Sequence, residues 1–142
     1  MLAYYDVDPA EVKFLGTALW DDQSLQNEPS LQGAWFTASP PEQWRTFVLR
    51  YERAFGETPP RIATLAYDAT ALAAVLARQA PSLEGYYGPD RITHPSGFAG
   101  IDGLFRFLPD GTIQRSYAVL EMAPGNFQVL DPAPRSFADL LN

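Results

Sequence analysis

Groups that titrate, coordinate or attack are what chemistry needs, and this sequence arranges few of them to do so. It has no cysteine and one histidine, His94. A zinc site built from cysteine and histidine cannot be assembled from that set. His94 lies between Thr93 and Pro95 with no acidic neighbour, which reads as a surface position rather than a catalyst. The serines lack the context of a nucleophile elbow, and no pair of carboxylates brackets an obvious cleft. Gly97, Gly100 and Gly103 are evenly spaced but lead into a strand, whereas a phosphate-cradling glycine loop leads into a helix. Binding without catalysis is the chemistry that remains: no enzyme activity, no cofactor and no metal are expected.

Candidate binding groups fall in two places. The first is Thr17-Ala18-Leu19-Trp20-Asp21-Asp22, the connection that follows a short apolar run. Ligands of open α/β sheets collect outside the carboxyl ends of the strands, which is where this connection begins. For Asp21 and Asp22 the competing reading is a helix cap or a solvated turn, and for Trp20 it is packing at the edge of the core. The second place is Ile62 with the Tyr67-Asp68 pair. Asp68 sits in an otherwise apolar row, and a buried carboxylate needs a partner. Arg50 or Arg61 is the expected one, the alternative being that Tyr67 and Asp68 support a cleft wall. For Ile62 the competing reading is core packing.

Two helices must position the second group. Ser39, Pro40 and Glu42 read as a capping box with a proline start. Trp44, Phe47, Val48, Tyr51 and Phe55 then recur at three and four, which predicts an amphipathic helix over 39–55. Gly56 supplies the stop, and Pro59-Pro60 forbids continuation. The next helix, 62–78, is apolar nearly all round and is expected to be buried. Ahead of both lie two short strands, 12–16 (a buried one) and 32–37, with a helical turn at 22–26.

Behind them, 83–103 is loop chemistry with a helical turn near 89–92. Strands follow at 104–108, 112–120 and 127–130, joined by Pro109-Asp110-Gly111 and Pro124-Gly125-Asn126 turns. They predict a three-stranded antiparallel meander, with Ile113, Tyr117 and Val119 on one face of its second strand. A tail, 131–142, ends in a short helix at 137–141. The fold class is therefore α/β in one domain: an α/β part over 1–82, the loop over 83–103, the meander over 104–130 and the tail.

The 142 residues are 46% hydrophobic, enough for a core. The formal charge of -7 argues against a nucleic-acid partner, since phosphate binding needs clustered Lys and Arg. No apolar run reaches membrane-spanning length, and no internal repeat is visible. The absence of cysteine is compatible with an oxidising compartment and does not decide it.

One set of motifs carries a resemblance. Phe47-x-x-Arg50-Tyr51-x-x-x-Phe55-Gly56-x-x-Pro59, then Ala66-Tyr67-Asp68-Ala69 and Leu72-Ala73, resembles the C-terminal lobe of type I periplasmic solute-binding proteins, the leucine/isoleucine/valine-binding family of ABC importers. The likeness continues through Gly100-Ile101-Asp102-Gly103, Phe105-x-Phe107, Asp110-Gly111, Arg115 and Val119-Leu120-Glu121. It implies a partial type I lobe, with short parallel strands, two main helices and the meander near a lobe hinge. Two lobes would close on a small-molecule solute of the amino-acid or small polar class, in the periplasm. In the family, the loop after the first strand faces the interlobe cleft, which singles out Thr17, Leu19, Trp20 and Asp21, and an apolar side chain at the place of Ile62 meets the ligand beside Tyr67. The family's amino-acid binders carry a carboxylate in that loop for the ligand's ammonium group, and Ala18 stands in its place.

The same resemblance extends to lipoproteins that activate penicillin-binding proteins in cell-wall synthesis. A regulatory module acting on a cell-wall synthase is thus the alternative function. Met1-Leu2-Ala3 runs directly into Tyr4-Tyr5-Asp6 without a signal peptide. A fragment is expected from that, its exported parent supplying the N-terminal lobe, with or without a lipid anchor. Such a fragment exposes apolar surface and is expected to form a homodimer.

Overall fold

Proline chemistry sets the first long helix in the computed structural model, which describes residues 11–79 and 86–138. Helix α1 spans Pro41–Phe55, with Pro40 as its cap at φ -55° and ψ 122°. A residue that precedes proline is held extended, so Pro40 cannot enter the helix. The start therefore lies further along than a Ser39 capping box requires, and no side chain bonds the first turn. Ser39 is buried instead. At the other end Gly56 adopts φ 76° and its N–H donates to Glu52 O, the left-handed stop that a side chain would resist.

The chain divides into two compact units, one containing residues 11–39 and 117–133, the other residues 40–79, 86–116 and 134–138. The first holds β1 (Leu15–Gly16), β2 (Trp35–Ala38), β6 (Ala118–Ala123) and β7 (Asn126–Asp131) in one sheet of order β1-β2-β6-β7. β1 and β2 run parallel, and the other neighbours are antiparallel. β2 is covered on both edges, and its alternation buries Phe36 and Ala38 while Trp35 and Thr37 face outward. Leu31, Ala34, Ala118, Leu120 and Met122 complete that core. β1 was expected to be buried. Among the described residues it is an edge strand with one neighbour, and Leu15 is 74% exposed. Trp35 Nε1 donates to Glu121 Oε2 across the β2–β6 ladder, and Lys13 lies over the Trp35 ring.

The second unit holds α1, α2 (Ala63–Gln79), α3 (Pro89–Ile92), and a sheet of β3 (Phe98–Gly100), β4 (Gly103–Phe107) and β5 (Ile113–Arg115) in the order β3-β4-β5. The expected meander is thus antiparallel but shared between two sheets. The stretch 112–120 divides at Ser116 and Tyr117, where Ser116 Oγ accepts from Leu104 N and Ser116 N donates to Leu104 O. Ala118, Leu120 and Met122 are buried, while Ile113 and Tyr117 are largely exposed. Asp110 Oδ1 accepts from Thr112 N and Oγ1 and closes the β4–β5 turn, and those bonds lower its pKa below the ordinary carboxylate value.

Helix α2 departs from its expected burial. Thr64, Asp68 and Leu76 are buried, one stripe at a four-residue repeat, while Leu65 and Val75 are exposed. Among the described residues its cover comes from α1 through Phe47 and Tyr67, from the β3–β4 turn through Asp68, and from Arg91, which donates to Leu76 O. The short helix expected at 137–141 lies largely outside the described residues.

Candidate functional site

The two groups of candidate residues fall in different units. In the first unit the loop leaves the carboxyl end of β1 as a 3-10 turn, Ala18–Trp20. Thr17 caps it, its hydroxyl accepting from Leu19 N at 3.5 Å. Trp20 folds back on Gly16 and stands 6.4 Å from the Phe36 ring, so its body packs on the core edge. Leu19 points away and is 86% exposed, a large apolar side chain held out by a one-turn loop. Ala18 is exposed and brings no charge. Asp22 caps the next 3-10 turn, Gln23–Leu25, through Ser24 N at 2.8 Å, and that bond lowers its pKa. Asp21 is half-buried beside it.

A side chain at Gly16 would occupy the space of the Trp20 ring. Overpacking of this kind typically costs about 1–3 kcal/mol. Gly16→Ala is therefore expected to lower stability by that amount in urea unfolding, and a midpoint equal to wild type would show that Trp20 swings clear without loss.

In the second unit Ile62 precedes α2 and is 71% exposed, so it is not the core residue that its apolar character suggests. It ends the turn ahead of the helix, where its carbonyl accepts from Leu65 N. Tyr67 is half-exposed and meets Phe47 edge-on at 5.4 Å. Ile62 and Tyr67 thus present accessible surface near one end of α2.

Asp68 pairs with neither expected arginine. Its Oδ1 accepts from Ile101 N at 2.8 Å and Oδ2 from Asp102 N at 3.4 Å, with the carboxylate against Gly100, where a side chain would displace it. Arg61 donates to Asp102 Oδ1 at 2.7 Å instead, and Thr64 Oγ1 donates to Asp102 Oδ2 at 2.6 Å. Gly100-Ile101-Asp102-Gly103 is therefore fastened to α2 by two buried carboxylates whose oxygens all accept hydrogen bonds. Thr64 and Asp102 went unnoticed in the sequence as partners of this site. The signal available was Thr64 and Asp68 at a helical spacing of four, together with a second carboxylate between two glycines.

Neither group forms a nucleophile–base pair. Among the described residues no cluster of three or more His, Asp or Glu is placed to hold a metal ion. His94 is exposed, its Nδ1 accepting from Ser96 N at 3.3 Å. What the arrangement offers is surface for recognition: an apolar side chain and an indole beside β1, an isoleucine and a phenol beside α2.

No family model matches the chain, and no curated protein matches its sequence. Solved structures do match its fold. A protein assigned as a branched-chain amino acid ABC transporter from Rhodospirillum rubrum superimposes with a TM-score of 0.73 and 20% identity, over 91% of this chain and 39% of that one. An ABC transporter substrate-binding protein from Desulfitobacterium hafniense, in complex with Leu, gives 0.60 and 18%, over 91% and 38%. The branched-chain amino acid transporter substrate-binding protein of Streptococcus pneumoniae, in complex with isoleucine, gives 0.55 and 20%, over 92% and 39%. The chain thus has the α/β fold of part of a type I periplasmic binding protein, and it spans about 39% of the length of the first of these structures.

Proposed function

We propose that this chain is part of a ligand-binding lobe of a two-lobed periplasmic receptor for an ABC importer, binding a small polar solute without chemistry. The observation that carries the reading is the likeness of fold over 91% of the chain to a transporter protein of the branched-chain amino acid class. The exposed Leu19 and the half-buried Trp20 and Asp21, at the carboxyl end of β1, support a solute-facing loop. Thr17 fixes that loop, and Ile62 and Tyr67 supply the recognition surface of α2. A second lobe closes on the solute by hinge motion.

A free aliphatic amino acid is expected to be a poor solute unless Asp21 or Asp22 turns to its ammonium group, because Ala18 stands where the resemblance places the carboxylate. An ammonium group that gives up water without gaining an ionic partner loses affinity, and Ala18 offers none. Leucine is expected to bind no tighter than millimolar. Calorimetry on the full-length receptor, with leucine, isoleucine, glycine and a panel of small polar solutes, tests this. The expected result is one saturable solute outside the aliphatic amino acids, with its affinity lost in Trp20→Ala. Micromolar leucine would show that Asp21 or Asp22 takes the place of the carboxylate missing at Ala18, unchanged affinity in Trp20→Ala would remove the loop from the site, and failure of every solute would remove the receptor reading.

A further inference from the structure

A second recognition feature lies in the unit that holds α2, away from Ile62 and Tyr67. The β4–β5 register pairs Phe105 with Arg115 and Phe107 with Ile113. Residues directly opposite in an antiparallel pair share a face, as do residues two apart along a strand. Phe105, Phe107, Ile113 and Arg115 therefore face the same way. The other face carries Arg106 and Gln114, which bond to each other at 2.8 Å. Across from the first face, α2 presents Leu65, Leu72 and Leu76 along one side. Between helix and hairpin is a cleft of about 390 Å³, within the usual range for small-molecule sites.

Two charged side chains, Arg115 and Asp68, line the cleft among the described residues. Among the described residues Arg115 is the one cation that lines it, its guanidinium 5.1 Å from the Phe105 ring centroid. Its Nη1 is buried and has no hydrogen-bond partner among the described residues. Guanidinium donors removed from water normally meet a carboxylate or a phosphate, often through two parallel bonds. Asp68 also lines the cleft, but both its oxygens are engaged by Ile101 N and Asp102 N.

We propose that this cleft binds a small apolar monocarboxylate, its chain along α2 and its carboxylate on Arg115. A single cation with the Asp68 charge near it suits one negative charge rather than two. The apolar walls suit a hydrocarbon body and exclude a strongly hydrated anion such as phosphate. This site belongs to a different unit from the solute loop after β1 and does not rest on the receptor reading.

Octanoate, 1-octanol and octylammonium share a chain and differ in head group, which isolates the role of Arg115. NMR titration of the 142-residue chain is expected to show octanoate binding at Leu72, Phe107 and Arg115, at least about tenfold tighter than octanol, with octylammonium weakest. Arg115→Met should erase the preference for octanoate, and Leu72→Trp should weaken octanoate and octanol together. Equal binding of the three ligands by the wild-type chain overturns the proposal without reference to any variant. So does a preference that survives Arg115→Met. Concentration-dependent shifts at Leu72 and Phe107 without ligand, together with no octanoate binding, would assign the cleft to a second copy of the chain and also overturn it.

Discussion

Asp68→Ala is expected to destabilise the unit containing α2 by about 2–4 kcal/mol. The carboxylate is 5% exposed and accepts from Ile101 N and Asp102 N. Alanine removes both acceptors and leaves the two amides without a protein partner in the space the carboxylate filled. A buried donor left unmade costs more than a made bond returns, because its desolvation is no longer offset. The loss spreads further, since Asp102 is held in place to receive Arg61 and Thr64. Asp68→Asn keeps the shape and one acceptor oxygen but sets an amide N–H against a backbone N–H. It should fall between wild type and alanine. Urea unfolding of the three proteins measures this directly. An alanine variant within about 0.5 kcal/mol of wild type would mean that water reaches the two amides and that the fastening is incidental.

Phe36→Ala should be the most damaging change in the other unit, at about 3–5 kcal/mol. Phe36 is 2% exposed on the central strand β2, with Phe127 edge-on at 5.1 Å and Trp20 at 6.4 Å. Truncation forfeits the transfer energy of the ring and opens a cavity that a sheet cannot collapse, because its strand spacing is set by the ladder on both sides. Phe36→Leu should recover more than half of the loss. Trp20 would lose its support, so its emission should move to longer wavelength in the alanine variant before global unfolding. A stability loss under about 1 kcal/mol would mean that the strands reclose over the gap.

The helices were legible in the sequence because their signals act over one or two turns. Pro40, the aromatic spacing from Trp44 to Phe55, and Gly56 each act on neighbours a few residues away, and α1 formed one residue beyond the expected cap, with α2 close to its expected range. The same holds for Gly111 and Gly125, whose positive φ values of 85° and 69° close the two hairpin turns. The candidate loop was legible as residue types after a strand, and Ala18 as a missing charge. Burial was not legible for β1 or α2, since apolar character says what a side chain tolerates, while cover depends on how many neighbours an element has.

Partnership was decided only by tertiary structure. Asp68 is 33 residues from Ile101 and Arg61 is 41 from Asp102, so nothing local chose backbone amides for Asp68 and left the arginine to the other carboxylate. The carboxylate fits against Gly100 because that position lacks a side chain, a fact of spatial approach and not of spacing. The stretch 112–120 reads as a single strand because its residues favour extended backbone throughout, and β propensity cannot say which sheet a residue joins. Its division at Ser116 follows from two ladders competing for one chain, and that division places Arg115 on the face of Phe105 and Phe107.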